Sequence, residues 1–207
     1  MPVPDTLRHE PIVGIGGVYT GALDAAEAAL APLRRFGPPA ADAIQPMPYS
    51  AAQTMVDAFW PRGLQNYWKS TFLSELSDEA IDTLVSQFAT VPSPQTVAVL
   101  EHFGGAMRRI APEATAFPHR QFDYDVLIMA MWSDPAEAER NITWTRAFSD
   151  ALNPFAPAAV YVNYLGVEGE ERVRAAYGAN FNRLVALKNQ YDPTNLFRLN
   201  QNVPPTV

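Results

Sequence analysis

Three short stretches of this chain carry side chains that could do chemistry. The first is Tyr-Val-Asn-Tyr-Leu-Gly, Tyr161 to Gly166. Read as a strand, it puts Tyr161 and Asn163 on one face and Val162 and Tyr164 on the other, with Tyr164 at the strand's mouth. A tyrosine there can give or take a proton if its surroundings move its pKa from about 10. The second is Val-Leu-Glu-His-Phe-Gly-Gly, where Glu101 interrupts an apolar strand beside His102. A half-buried carboxyl at that point would hold its proton more tightly and mark a site. The third is Phe-Asp-Tyr-Asp-Val, where Asp123 and Asp125 share one strand face. Two carboxylates on one face can work as an acid–base pair. Each has a plainer alternative: a buried tyrosine with a satisfied hydroxyl, an edge glutamate, and acids that open a strand at the solvent.

Bulk composition narrows the chemistry. A net charge of −7 argues against a nucleic-acid partner, because phosphate backbones call for a basic patch. The chain has no cysteine, which removes thiolate chemistry, disulfides and sulfur-ligated zinc. Its three histidines, His9, His102 and His119, are scattered, so no metal site is expected. No apolar run is long enough for a membrane span, and no signal pattern opens the chain, so the default expectation is the cytoplasm. A hydrophobic share of 48% with 18% charged residues suits a packed core rather than disorder.

The elements that must position these residues alternate irregularly. Pro11–Gly21 reads as a strand; its Gly-x-Gly-Gly lacks the full dinucleotide fingerprint. Residues 24–36 have helical spacing, and a short helix follows from about Ser50. Asn66-Tyr-Trp-Lys-Ser-Thr-Phe-Leu reads as a strand. The next segment is a helix capped by Ser77, with acids in its first turn. Two strands follow, carrying Glu101 and Asp125, then a helix with Ile142, Thr145, Phe148 and Leu152 on one side. Residues 158–166 read as a strand, and 169–190 as one long helix striped by Val173, Tyr177, Phe181, Leu184 and Leu187. The expected fold is α+β: a mostly antiparallel sheet with helices packed on one face.

The last segment, Gln190 to Pro205, places Asn200, Gln201 and Asn202 directly after an apolar anchor of Leu196 and Phe197. With Phe-Pro-His-Arg at 117–120, a strand ending at Trp132, the Tyr-x-Asn-Tyr stretch and the closing Asp-Pro-x-Asn-x-Phe-Arg-x-x-Gln, the chain resembles the berberine bridge enzyme-like FAD-linked oxidases. Upstream, Met-Pro-Tyr-Ser-Ala-Ala-Gln-Thr-Met-Val-Asp and Asn-Tyr-Trp-Lys-Ser-Thr-Phe-Leu look like bacterial members. The resemblance runs from about residue 10 to 205.

That resemblance implies a division into a tail (1–10), a partial substrate-binding domain (11–165) and a C-terminal helix with a berberine-bridge-type segment (166–207) that would complete an FAD domain. It implies Tyr164 as base, Glu101 as its assistant and Asp125 as a further catalytic carboxylate. It places Tyr161, Asn163, Asn200, Gln201 and Asn202 near the flavin. The family's flavin-tethering histidine and pyrophosphate loop are expected upstream of this sequence, so weak FAD binding is expected of the chain by itself. The implied activity is oxidation of an alcohol, sugar or secondary metabolite with oxygen as acceptor. Two other readings stay open: a subunit of a split oxidase completed by a separate FAD-domain chain, and a non-catalytic small-molecule-binding module.

Overall fold

The computed structural model describes residues 10–166 and 168–207. The expected tail, 1–10, lies outside the described residues except for Glu10. The chain divides into two compact units, Met1–Pro61 and Arg62–Val207.

The first unit carries helix α1 (Leu23–Arg35), helix α2 (Tyr49–Thr54) and a single 3₁₀ turn at Asp57–Phe59. Arg34 ties the end of α1 to the following loop: it pairs with Glu27, with Asp42 at 2.7 Å and with the carbonyl of Ile44. Among the described residues of this unit, none is buried. The strand expected at Pro11–Gly21 does not form; the segment has no regular structure, and Val13 is 97% exposed. A strand needs a ladder partner, and Gly14, Gly16 and Gly17 leave this run little side chain to pack.

The second unit is built on a three-stranded antiparallel sheet in the order β1 (Gln65–Leu73), β3 (Tyr124–Trp132), β2 (Val97–His102). The central strand β3 is buried along nearly its whole length, as its unbroken apolar run requires. One sheet face packs on helices α3 (Asp78–Phe88) and α4 (Ala138–Ala151), with Leu73, Val126, Ile128, Phe148 and Leu152 as its buried centre. The α3 start is as expected: Ser77 Oγ accepts from the N–H of Ala80, and Asp78 and Glu79 occupy the positive end of the helix. Asp134 does the same for the entry to α4, accepting from Ala136 N–H at 2.9 Å.

Two further expectations are corrected. Residues 158–166 are not a strand; the chain is extended to Tyr161 and then closes a 3₁₀ turn at Val162–Tyr164, with Tyr164 N–H donating to Tyr161 O. A short apolar–aromatic run has no period that separates strand from turn, and this one is fixed by its side-chain contacts. The expected long helix is two helices, α5 (Glu170–Tyr177) and α6 (Phe181–Tyr191), joined by a 3₁₀ turn at Gly178–Asn180. Gly178 takes φ +49°, which a helix interior does not allow. The break turns Asn180 inward, where its amide donates to the carbonyls of Pro112 and Thr115.

Candidate active site

The sheet face opposite α3 and α4 carries the site. Antiparallel pairing sets Phe72, Asp125 and Glu101 side by side across the three strands, one from each. Directly opposed residues share a face and bring their Cβ atoms within roughly 5 Å. Around this row lies an aromatic wall. Phe72 stacks on Phe122 at 5.2 Å between ring centres, and Phe103 and Phe117 both meet Tyr161 edge-on. Nothing in local spacing singles out Phe72, Phe103 and Phe117, which lie on three different segments.

The 3₁₀ turn places Tyr164 over the row. Its hydroxyl donates to Glu101 Oε2 at 2.9 Å, so residues 63 positions apart in sequence form one hydrogen-bonded pair. Tyr161 stands perpendicular to Tyr164, ring centres 5.0 Å apart, and its hydroxyl accepts from the Asn163 amide at 2.8 Å. The alternating-face arrangement expected of a strand is therefore replaced by a turn that sets the two tyrosine rings against each other.

Asp125 is fully buried, and neither carboxyl oxygen has a hydrogen-bond partner among the described residues. Burial, reinforced by the charge of Glu101, pushes its pKa up to about 8. It therefore holds a proton at neutral pH. Burial, then the hydrogen bond to Glu101, then the charges of Glu101 and Asp125 also hold the proton on Tyr164 above the ordinary tyrosine value. The resting site is thus a phenol donating to a carboxylate beside a neutral carboxylic acid. The expected Asp123–Asp125 pair does not exist. Asp123 precedes β3 and pairs with Arg108 at 2.5 Å, and the acid that Asp125 faces is Glu101.

The closing segment is anchored differently from the expectation. Leu196 and Phe197 are 70% and 79% exposed and anchor nothing among the described residues. The anchor is Asp192, which pairs with Lys188 and accepts from the N–H groups of Leu196 and Phe197 at 2.7 and 3.1 Å. Beyond it, Asn200 is exposed with φ +59°, Gln201 donates to the carbonyls of Leu165 and Gly166, and Asn202 Oδ1 is buried with no partner among the described residues. Among the described residues no cluster of His, Asp and Glu could hold a metal ion. No helix among them is long and apolar enough to cross a membrane.

Residues 160–204, which include the tyrosine turn, α5, α6 and this segment, match the family model described as berberine and berberine like. The chain is related to the berberine bridge enzyme-like FAD-linked oxidoreductases. It is 25% identical over 196 residues to an FAD-linked oxidoreductase of Dictyostelium discoideum, covering 93% of this chain and 42% of that protein. It is 29% identical to the FAD-linked oxidoreductase YgaK of Bacillus subtilis, covering 91% and 42%. The berberine bridge enzyme-like protein 28 of Arabidopsis thaliana has the same fold over 91% of this chain and 46% of its own, at a TM-score of 0.68 and 21% identity. The chain thus spans less than half the length of each of these three relatives. The resemblance read from the sequence holds, and so does the α+β fold of helices and antiparallel sheet.

Proposed function

We propose that this chain supplies the substrate side and the proton-transfer pair of an FAD-dependent oxidase acting on an alcohol, sugar or secondary metabolite, with oxygen as final acceptor. The observation that carries the reading is the Tyr164–Glu101 hydrogen bond on a sheet face lined by aromatic rings. Alcohol oxidation needs the hydroxyl proton removed as hydride leaves carbon. Tyr164 oxygen takes the substrate's hydroxyl proton while its own proton passes to Glu101 Oε2. The pair therefore works without a free tyrosinate, in keeping with a phenol that holds its proton tightly. Asp125, protonated at rest, adds no second negative charge beside Glu101, which is left as the group that receives the proton. Bound FAD would supply the hydride acceptor, and Asn163, Asn200 and Asn202 are the residues of this chain suited to its ring edge.

The test is oxygen consumption by the purified chain with FAD, and with a polypeptide carrying the relatives' flavin-binding part, across a panel of alcohols and sugars. Turnover that Tyr164→Phe leaves unchanged would refute the reading.

A second reading, a split oxidase completed by a separate FAD-domain chain, is favoured by one observation. Leu196, Phe197 and Leu199 form an exposed apolar run at 70–84% exposure, directly before the Asn-Gln-Asn residues. Flavin absorbance that appears only in the two-chain mixture supports it. Substrate binding without turnover in either mixture supports a binding module instead.

A further inference from the structure

The turn that carries Tyr164 is held by a residue from the far end of the chain. Gln201 Nε2 donates to Leu165 O at 2.7 Å and to Gly166 O at 3.3 Å. A carboxamide has two N–H groups, so one side chain can serve both carbonyls together. Leu165 is the closing residue of the turn, its N–H donating to Val162 O, and its side chain is buried with Val160 and Ala176. Gln201 in turn sits at the apex of a three-residue turn in which Asn202 N–H donates to Asn200 O at 3.0 Å. That turn lies in the segment whose backbone Asp192 grips at Leu196 and Phe197. A second tie lies just beyond the turn, where Glu168 pairs with Lys69 of β1 at 2.8 Å and with Arg172 at 3.3 Å.

From this geometry we infer that Gln201 is a positioning residue, which sets the Tyr164 hydroxyl against Glu101 by fixing the carbonyls of Leu165 and Gly166. The inference rests on reading Tyr164 and Glu101 as the proton-transfer pair. Among the described residues the Tyr164 turn has two backbone hydrogen bonds of its own, at 3.0 and 3.3 Å, which is little to hold a hydroxyl in place. An O–H···O bond weakens steeply with small displacements, and a reacting group misplaced by about 1 Å can lose roughly a hundredfold in rate. The C-terminal segment thereby becomes part of the catalytic geometry through its grip on a loop of this chain.

The experiment uses the flavin-free chain, labelled with ¹³C at the tyrosine Cζ, with Tyr164→Phe assigning the Tyr164 signal. Gln201→Ala is compared with Gln201→Met, which keeps the side-chain length, fills the same space and has no donor. The expected result is a changed Tyr164 Cζ shift and a Tyr164 titration moved down in both variants, as the Glu101 hydrogen bond loosens. Exchange of the Tyr164 and Leu165 amides should quicken at least about tenfold while amides of β3 stay protected. If the alanine variant fails to fold, the methionine variant decides. An unmoved Tyr164 titration in a folded variant overturns the proposal and leaves Gln201 as a flavin-edge or local structural group only. In the flavin-loaded assembly, Gln201→Met should lower kcat roughly ten- to hundredfold with KM nearly unchanged. A shifted Tyr164 signal with full kcat also overturns it. The two readings fail separately: full turnover in Tyr164→Phe refutes the role of Tyr164, whatever Gln201 does to its titration.

Discussion

Tyr164 and Glu101 meet across 2.9 Å, the phenol donating and the carboxylate accepting, although one sits on a 3₁₀ turn and the other on an edge strand of the sheet. The direction of that bond decides what the pair can do. A carboxylate acceptor stabilises the phenol over the phenolate, so the pair is arranged to relay a proton rather than to store a tyrosinate.

Removing either member should therefore cost rate more than binding. Tyr164→Phe and Glu101→Gln are each expected to lower kcat by roughly two to four powers of ten, the usual range for a general acid–base group. Glu101→Gln should also bring the Tyr164 titration down, because it removes the nearby charge. Steady-state kinetics of the flavin-loaded assembly measure the first effect, and tyrosine NMR of the chain the second. A Tyr164 titration that rises in Glu101→Gln would contradict the assignment.

Asp125 gives a prediction about stability and pH. Its pKa rises from 3.8 in the unfolded chain to about 8 in the fold. Between those values the unfolded state has lost a proton that the folded state keeps. The group's contribution is fully present below about pH 4 and is lost as pH rises through about 8. Asp125→Asn removes the titration with little change of shape. Relative to the variant, the native chain should lose stability across that window by a few kcal/mol, at most about 1.4 kcal/mol per pH unit. Urea unfolding at a series of pH values measures it, and a gap that does not change with pH would contradict the buried-acid account.

How much of this was legible in the sequence depends on the range of the signal. The α3 cap at Ser77 is a local rule, and so is the buried run of β3; both could be read directly. Glu101 stood out because it breaks an apolar strand, and Tyr164 because it ends the Tyr-Val-Asn-Tyr run just before Leu165 and Gly166, a reading the family resemblance reinforced. Their contact could not be read from spacing, since it depends on strand register and on a turn 63 residues away. The same holds for Asp125, whose real neighbour is across the sheet rather than two residues along its own strand. The failed strand at 158–166 had the right residue types and no ladder to join. The failed long helix had the right stripe on both sides of a glycine, and helical periodicity does not report a break that keeps both faces in phase.

That glycine is testable. At φ +49° a residue with a Cβ is strained, and the space around Gly178 is otherwise only in ordinary contact with Pro118 and His119, at 3.4 and 3.6 Å. The cost of Gly178→Ala is thus conformational rather than steric. It should destabilise the chain by about 1–3 kcal/mol, seen in urea midpoints. A neutral or stabilising result would mean that α5 and α6 can join into one helix without losing the Asn180 contacts.

The final prediction concerns Asp192, on which the C-terminal segment depends. The ion pair with Lys188, followed by the N–H groups of Leu196 and Phe197, holds its carboxyl below the ordinary aspartate value. A carboxyl with a depressed folded pKa stabilises above its unfolded value, and that contribution is lost as pH falls through the folded one. Acidification should therefore loosen residues 192–202 before the sheet unfolds. Because Gln201 lies in this segment, the Tyr164 turn should loosen with it. Hydrogen exchange at neutral and acidic pH, corrected for intrinsic rates, measures both regions. Asp192→Asn should show the loosened segment already at neutral pH, since an amide can accept at one oxygen only and cannot serve Lys188 and two N–H groups as a charge. If the variant's segment stays protected while that of the native chain opens in acid, the acid effect arises elsewhere and the anchor is not Asp192.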